Sequence, residues 1–358
     1  MRRHDGRRIS CAVGIVTALL LAGCGSPSSP DGGASSPQAS GTTSRAPVDP
    51  TETATPTTGP ETPMTEPETP TPTPELPAAQ PWEPGSGEVT AELKLAVTRV
   101  VEALGTVPRD APDPSERLDE VGADPALAED AGSLIPPGEP AVTDVVYPQL
   151  GGLETDTASV MVVARQTWLQ AGEPVSRMVT ADVRLDGPEG ERTVSGIRPV
   201  EYDSVGSASL PGSLRAAVDQ GQIELPEAAA ADLVTADIYP GVVESMAGLA
   251  EKYEYSVSVV RSGHPDEVFG TDRLSNHTRG RAVDVWAIDG VPVAELDRNG
   301  DTLRGFLEDA ARWGADSIGG PVDLDGGPGG TYFSDTLHHD HVHIAFHPPS
   351  RNATDDVG

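Results

Sequence analysis

The chain has 358 residues and a formal net charge of −32 at pH 7, with 56 acidic side chains against 24 Lys and Arg. This balance argues against a basic surface that binds nucleic acid or anionic lipid. The only cysteines are Cys11 and Cys24, so we expect no disulfide and no cysteine nucleophile in the folded part. Neither a Ser-x-x-Lys nor a Gly-x-Ser-x-Gly motif occurs, which leaves metal chemistry as the expected basis of any hydrolytic activity.

Residues 1–23 have the pattern of a secretory signal peptide. Several arginines precede an apolar run from Ile9 to Ala22, which is too short to remain in the bilayer as a spanning segment. The run ends in Leu21-Ala22-Gly23-Cys24, which resembles the lipobox of bacterial lipoproteins. The resemblance implies that Cys24 is acylated and that the protein is anchored by lipid to the extracellular face of a bacterial cell membrane.

Residues 24–87 consist mainly of Ser, Thr, Pro, Gly and Glu, with few apolar side chains. Such a segment cannot bury enough surface to offset the entropy lost on ordering. We expect a disordered linker that holds the rest of the chain away from the membrane and within reach of the cell wall.

Residues 88–206 predict a first α+β domain. Helical periodicity extends over 89–104, and the following segment is rich in Pro and Asp turns. A helix followed by an antiparallel meander resembles the curved sheet of nuclear-transport-factor-like domains, and the role and protein partner of this domain are unknown. The predicted strands are 158–170, 175–185 and 193–200, with hairpin turns at Gly172-Glu173 and Asp186-Gly187.

Residues 207–358 predict a second α+β domain with a central antiparallel sheet. Pro240 precedes one predicted helix, and Asp301 is the expected N-cap of another. The predicted helices are 241–252 and 302–313, and the predicted strands are 255–261, 281–288 and 341–346.

Seven of the eight histidines lie between His264 and His347, and their spacing indicates a metal site. One cluster reads Ser275-x-His277-x-x-Gly280-x-Ala282-x-Asp284, and the other includes His341-x-His343. Side chains alternate along a strand, so His341 and His343 share one face. Imidazole and carboxylate are zinc ligands, and a catalytic zinc takes three protein ligands and leaves one position open.

These two motifs resemble the zinc peptidase superfamily of D-alanyl-D-alanine carboxypeptidases, lysostaphin-type endopeptidases, penicillin-insensitive murein endopeptidases and hedgehog domains. The resemblance covers about residues 257–347. It implies that His277, Asp284 and His343 bind Zn²⁺. It also implies that His341 activates water or stabilises the transition state, that His338 is a further active-site histidine, and that Arg261 holds the substrate.

Asp340 departs from the family pattern. The carboxypeptidase branch usually has Glu at this position as the general base, and Asp is one methylene shorter. The base therefore stays open between Asp340 and His341, and the shorter reach of aspartate favours a role in which Asp340 orients His341 or the water. For His264, a turn residue is the expected role, with substrate binding as the alternative.

The sequence therefore predicts a membrane-anchored zinc metallopeptidase, similar to D-alanyl-D-alanine carboxypeptidases, that hydrolyses peptide bonds in the stem peptides of peptidoglycan. The alternative is a catalytically inactive, zinc-stabilised module that binds wall peptides or a protein partner, because hedgehog-like relatives keep the metal without the chemistry.

Overall fold

The computed structural model describes residues 75–327 and 329–347, which belong to one compact unit, Thr69–Gly358. The predicted signal peptide, the lipid site at Cys24 and most of the predicted linker lie outside the described residues. Within the described ranges, none of the helices has the length and apolar character needed to cross a bilayer. The described residues form a mixed α+β structure with two sheets.

The first sheet is a four-stranded antiparallel meander with the strand order β1-β2-β3-β4. Two helices precede it in the chain, and the first packs its apolar side against one face of the sheet. The elements are α1 (Ala91–Gly105), α2 (Pro114–Glu120), β1 (Ala141–Leu153), β2 (Thr157–Gln170), β3 (Glu173–Asp186) and β4 (Thr193–Pro199).

The second sheet is mixed, and its longest strand, β7, lies near the centre between β6 and β11. The strand order is β10-β9-β11-β7-β6-β5, and β8 also pairs with β7. The elements are α3 (Gly212–Asp219), β5 (Ile223–Glu224), α4 (Glu227–Thr235), α5 (Pro240–Ala250), β6 (Tyr255–Val259), β7 (Ala282–Ile288), β8 (Val291–Pro292), α6 (Asp301–Arg312), β9 (Ser317–Gly319), β10 (Tyr332–Phe333) and β11 (Val342–Ala345).

Each sheet has its own apolar core. Leu104 of α1 and Val162 of β2 are fully buried in the first core, and Phe306 of α6 and Ile344 of β11 are fully buried in the second. The predicted boundary near residue 206 lies in the connection between β4 and α3. The two sheets nevertheless belong to the same compact unit.

Most predicted elements with clear periodicity are present with shifted ends, but β1 was absent from the prediction. Pro148 and the glycines at positions 151 and 152 interrupt its sequence pattern. Two register shifts, at Val145/Tyr147 and at Leu150/Gly152, also break the alternation that identifies a strand. Proline is tolerated here because β1 lies at the edge of its sheet.

Two predicted details are wrong by one residue. The loop between β2 and β3 is Ala171-Gly172, not Gly172-Glu173, and both loop residues have positive φ, 53° and 88°. A two-residue loop that matches the strand twist requires positive φ at both positions. Asp301 is the first residue of α6 and not its N-cap, which is Gly300. Its carboxylate therefore lies in the first turn, where a negative charge interacts favourably with the positive end of the helix dipole.

Candidate metal centre

The centre of the second sheet brings together two of the predicted ligands. Asp284 of β7 lies directly opposite His343 of β11, and both side chains are buried. On the other face of β11, Val342 and Ile344 pack into the apolar core. One face of β11 therefore carries the polar site and the other packs into the core, as the alternation of its residues predicts.

His277 reaches the same point from the loop before β7. Gly280 closes this loop with a φ of 64°, and its amide donates to the carbonyl of His277 at 2.8 Å. A Cβ on Gly280 would lie 2.1 Å from the carbonyl oxygen of Asp237, so glycine is required by both the backbone angle and the space. The imidazole of His277 is bound through Nδ1 to the carbonyl oxygen of Val260 at 2.8 Å, which directs Nε2 toward Asp284.

Three potential ligand atoms converge in this arrangement. Nε2 of His277 lies 3.1 Å from Oδ1 of Asp284 and 3.1 Å from Nδ1 of His343. Nδ1 of His343 lies 2.9 Å from the same oxygen of Asp284. Ligand atoms around one tetrahedral zinc are about 3.4 Å apart, so outward shifts of a few tenths of an ångström would admit an ion. The three residues therefore fit a metal ion.

His264 also belongs to this group, which the sequence did not predict. Ligand atoms of His264, His277 and Asp284 all lie within 4.8 Å of one another, so these three could also hold a metal ion. The rings of His264 and His277 stack with centroids 4.1 Å apart and an interplanar angle of 15°. Nδ1 of His264 lies 2.7 Å from the carbonyl oxygen of Pro265, so its Nε2 is the atom left for other partners.

The pKa shifts in the centre favour the protonation states that bind a metal. Burial lowers the pKa of His343 to about 4, despite the opposing effect of its hydrogen bond to Asp284. Burial also lowers the pKa of His264 well below its ordinary value. Burial alone would raise the pKa of Asp284, but the charges of His277 and His341 lower it well below its usual range. Metal ligands must be neutral imidazole and ionised carboxylate, and the shifts of His343, His264 and Asp284 are in these directions.

His341 lies beside the three ligand atoms without sharing their close contacts. Its Nε2 is 3.8 Å from Oδ2 of Asp284, and its Nδ1 is 2.6 Å from Oδ1 of Asp340. Burial would lower the pKa of His341, but the negative charges of Asp284 and Asp340 raise it. The ring is therefore oriented by Asp340, and its Nε2 is directed toward the centre.

Asp340 is fully buried, and both of its carboxylate oxygens have partners. Oδ1 contacts His341, and Oδ2 accepts from Nζ of Lys94 at 2.6 Å and from the amide of Leu150 at 2.8 Å. Burial would raise its pKa, but the charge of Lys94 and the hydrogen bond from His341 lower it. The carboxylate is thus held ionised against His341.

His338 lies at the border of the centre, and Arg261 follows Val260, whose carbonyl oxygen binds His277. The ring centroid of His338 is 5.1 Å from that of His341 and 5.7 Å from that of His343, and its Nδ1 contacts Asp335 at 2.7 Å. Arg261 is half-buried, and its backbone amide donates to Asp232 at 3.0 Å. Within the described part of the chain its guanidinium makes no hydrogen bond or ion pair.

Several residues that complete the centre were not predicted, because they come from remote parts of the chain. Gln149 of β1 donates from Nε2 to Oδ2 of Asp284 at 2.7 Å, and Lys94 of α1 binds Asp340. Asp232 accepts from the amides of Arg261 and Ser262 and so fixes the loop that leads to His264. No spacing rule connects these positions to the histidine motifs, so the signal for them lies in the tertiary structure.

A cavity of about 290 Å³ lies beside the centre. The loop around His264 borders it on one side, and the ends of β3 and β4 border it on the other. His264, which lines this cavity, also stacks on His277. Its lining includes Asp182, Arg184, Arg198, Ser262, His264 and Asp266.

Comparisons with known proteins give little information about this chain. No protein-family model matches the sequence, and no curated protein matches it. Among solved structures, the association domain of C. elegans CaMKII is similar with 18% sequence identity and a TM-score of 0.16. That match covers 17% of this chain and 48% of the solved chain, or about half its length. A likeness of this size carries no argument about fold or function.

Proposed function

We propose that residues 207–358 form a zinc metallopeptidase domain that hydrolyses peptide bonds in the stem peptides of peptidoglycan. The observation that carries this proposal is the convergence of His277, Asp284 and His343, whose ligand atoms lie 2.9 to 3.1 Å apart. Two imidazoles and one carboxylate form the ligand set of a catalytic zinc with an open position. The identity of the metal and the peptidase activity are both part of the proposal.

The neighbouring side chains support hydrolysis. A bound zinc ion would polarise a scissile carbonyl and lower the pKa of a water molecule. His341, held by Asp340 at 2.6 Å, would transfer a proton at this position or stabilise the developing negative charge. Arg261 would hold the substrate, and its guanidinium is not engaged within the described residues.

The geometry around Asp340 favours His341 over Asp340 as the group that exchanges protons with the substrate. Both oxygens of Asp340 are occupied by His341, Lys94 and Leu150, and the carboxylate is fully buried. A general base must lie within hydrogen-bond reach of the proton that it takes. Asp340 therefore orients His341 in the proposed mechanism.

The location and the domain layout are also proposals. The two sheets with separate cores support a division into a domain at 88–206 and a zinc-binding domain at 207–358. The signal-like N-terminus and Cys24 support a lipoprotein anchored at the extracellular face of a bacterial membrane. A lipid anchor and a long linker would keep the peptidase within reach of the wall.

A zinc-stabilised binding module is the second candidate, and His264 favours it. His264 is the candidate for a fourth ligand, because its ligand atom lies within 4.8 Å of those of His277 and Asp284, and structural zinc sites are closed by four protein ligands. A closed site would stabilise the domain and leave no position for water. Binding of wall peptides or of a protein partner would then be the function.

One experiment separates the two candidates. The full chain is loaded with zinc, its ligands are counted by X-ray absorption spectroscopy, and it is incubated with purified wall fragments that are then analysed by mass spectrometry. Three protein ligands and shortened stem peptides support the peptidase. Four protein ligands and intact fragments support the binding module, and a wild-type chain without zinc contradicts both.

A further inference from the structure

The outer contacts of the candidate metal centre come from the other half of the molecule. Gln149 of β1 is fully buried, and its Nε2 donates to Oδ2 of Asp284 at 2.7 Å. The other oxygen, Oδ1, faces His277 and His343. The amide therefore binds the oxygen that is not directed at the two histidines, which is the position of a residue that orients a ligand.

A second hydrogen bond fixes the orientation of this amide. The hydroxyl of Ser258, on β6, donates to Oε1 of Gln149. Since the oxygen of the amide is directed at a donor, its nitrogen is directed at Asp284. Ser258, Gln149 and Asp284 thus form a chain in which each group can take only one role.

The same half of the molecule also holds Asp340. Lys94 of α1 is fully buried, and its ammonium lies 2.6 Å from Oδ2 of Asp340. The ammonium also contacts Glu88 and lies 5.0 Å from the ring centroid of Tyr147. A buried ammonium with this many partners has little freedom to move, so the position of Asp340, and through it that of His341, is fixed from α1.

Close packing keeps these contacts in place. The rings of Tyr147 and Trp286 stack across the two sheets with centroids 4.7 Å apart and an interplanar angle of 13°. A Cβ on Gly152 would lie 2.1 Å from a ring atom of Phe269, so the end of β1 lies directly against the loop that follows β6. Such packing leaves no room for β1 to slide along the second sheet.

Mutual satisfaction of buried polar groups is the simpler explanation of these contacts. Two features argue for a role in the centre itself. Gln149 and Lys94 bind the carboxylates of Asp284 and Asp340, and each binds Oδ2 while the histidines hydrogen-bond to Oδ1. Gln166 of β2 offers a contrast, because it is equally buried but binds Leu134 and Arg177 of its own half.

We infer that residues 88–206 support the proposed metal centre through hydrogen bonds to the carboxylates of Asp284 and Asp340. Gln149 is a positioning residue for Asp284, and Lys94 is a positioning residue for Asp340 and His341. This inference rests on the proposed metal centre but not on hydrolysis. It assigns a role to the first half of the molecule that is independent of any partner.

The affinity of the full chain for zinc tests the role of Gln149. Zinc is titrated against a competing chelator in the wild type, Gln149→Leu and Gln166→Leu, and Co²⁺ spectra report the geometry of the site. Loss of an outer-sphere partner typically lowers metal affinity about 10- to 100-fold. We expect this loss and an altered Co²⁺ spectrum for Gln149→Leu, whereas Gln166→Leu should keep the affinity and spectrum of the wild type.

A milder variant covers the case in which Gln149→Leu does not fold. Ser258→Ala removes one hydroxyl and frees the amide of Gln149 to rotate, so we expect a smaller loss of zinc affinity in the same direction. If Gln149→Leu or Ser258→Ala binds zinc as tightly as Gln166→Leu, the role of Gln149 is wrong. A wild type that binds no zinc would instead overturn the proposed function.

The role of Lys94 needs a readout at His341. Removing Lys94 alone would leave two buried carboxylates unpaired, so the double variant Lys94→Met with Glu88→Gln is used. We expect ¹⁵N spectra of the imidazole to show a weakened hydrogen bond at Nδ1 of His341 in the double variant. In Arg117→Met, which removes a buried cation remote from the centre, the signal should match the wild type. An unchanged His341 signal in the double variant overturns this half of the inference.

Discussion

Oδ1 of Asp340 lies 2.6 Å from Nδ1 of His341, its neighbour in the chain. Adjacent residues of a strand point to opposite faces, but Asp340 lies before β11, in a helical conformation with φ −107° and ψ −2°. This bend brings the carboxylate alongside the imidazole that follows it. Strand alternation alone does not reveal this contact, although the shorter reach of aspartate favours an orienting role for Asp340.

The contact predicts different results for Asp340→Asn and His341→Ala. We expect Asp340→Asn to keep its zinc and to retain reduced but measurable hydrolysis, because it removes an orienting charge and not the group that exchanges protons. Loss of a general acid or base typically lowers the rate about 100- to 10,000-fold, and we expect a loss in this range for His341→Ala. The measurement is a pH–rate profile of both variants on one defined wall peptide.

Zinc content is measured in parallel in both variants. His347→Ala is the control, because His347 is exposed and binds Asp316 outside the centre. Complete inactivity of Asp340→Asn at full zinc occupancy would assign the base to Asp340 and contradict the orienting role.

The three proposed ligands should each be necessary for zinc. His277→Ala, Asp284→Ala and His343→Ala remove one of the converging atoms, so we expect each variant to lose most of its metal. His264→Ala should keep about one zinc per chain if the site has three protein ligands. Elemental analysis after gel filtration measures both, and undiminished zinc in all three ligand variants would exclude this site.

Arg261 should affect catalysis and not metal binding. Arg261→Ala removes the guanidinium, while the backbone contact with Asp232 remains. Loss of one group that stabilises a developing oxyanion typically costs about 100- to 1,000-fold in kcat. The exposed Arg279 provides the control variant Arg279→Ala. Wild-type kcat and KM for Arg261→Ala would show that Arg261 does not touch the substrate.

The histidine motifs allowed much of the inner site to be predicted, for a local reason. His277 and Asp284 are separated by one glycine turn, and His341 and His343 by one strand residue, so short-range geometry determines where they lie. The identity of the metal and the reaction depend on the resemblance of these motifs to zinc peptidases and stay predictions.

The outer contacts could not be predicted, because they join distant parts of the chain. Gln149 lies on a strand whose alternation is broken by two register shifts, and nothing in its neighbourhood indicates a contact with Asp284. Lys94 lies on α1, and the helical periodicity of this segment does not reveal which buried charge the lysine contacts. His264 follows Gly263, and a histidine after glycine in a turn is typical of an exposed loop.

The ion pair of Asp340 predicts acid sensitivity of the metal-free chain. Burial would raise the pKa of Asp340, but Lys94 and His341 lower it below the usual value of 3.8. The folded chain therefore holds this proton more weakly than the unfolded chain does. The stabilisation from ionised Asp340 is complete above pH 3.8. It is lost as the pH falls toward the pKa of Asp340 in the folded chain.

Urea unfolding of the chelator-treated full chain between the neutral range and acid pH measures this effect. Below pH 3.8, the usual pKa of aspartate, we expect the free energy of unfolding to fall with decreasing pH. Asp340 should contribute up to about 1.4 kcal/mol per pH unit to this slope. Asp340→Asn should reduce the slope, because the amide does not titrate, and the exposed Asp272→Asn should leave it unchanged. An equal acid slope in Asp340→Asn and in the wild type would mean that the buried pair with Lys94 does not control the charge of Asp340.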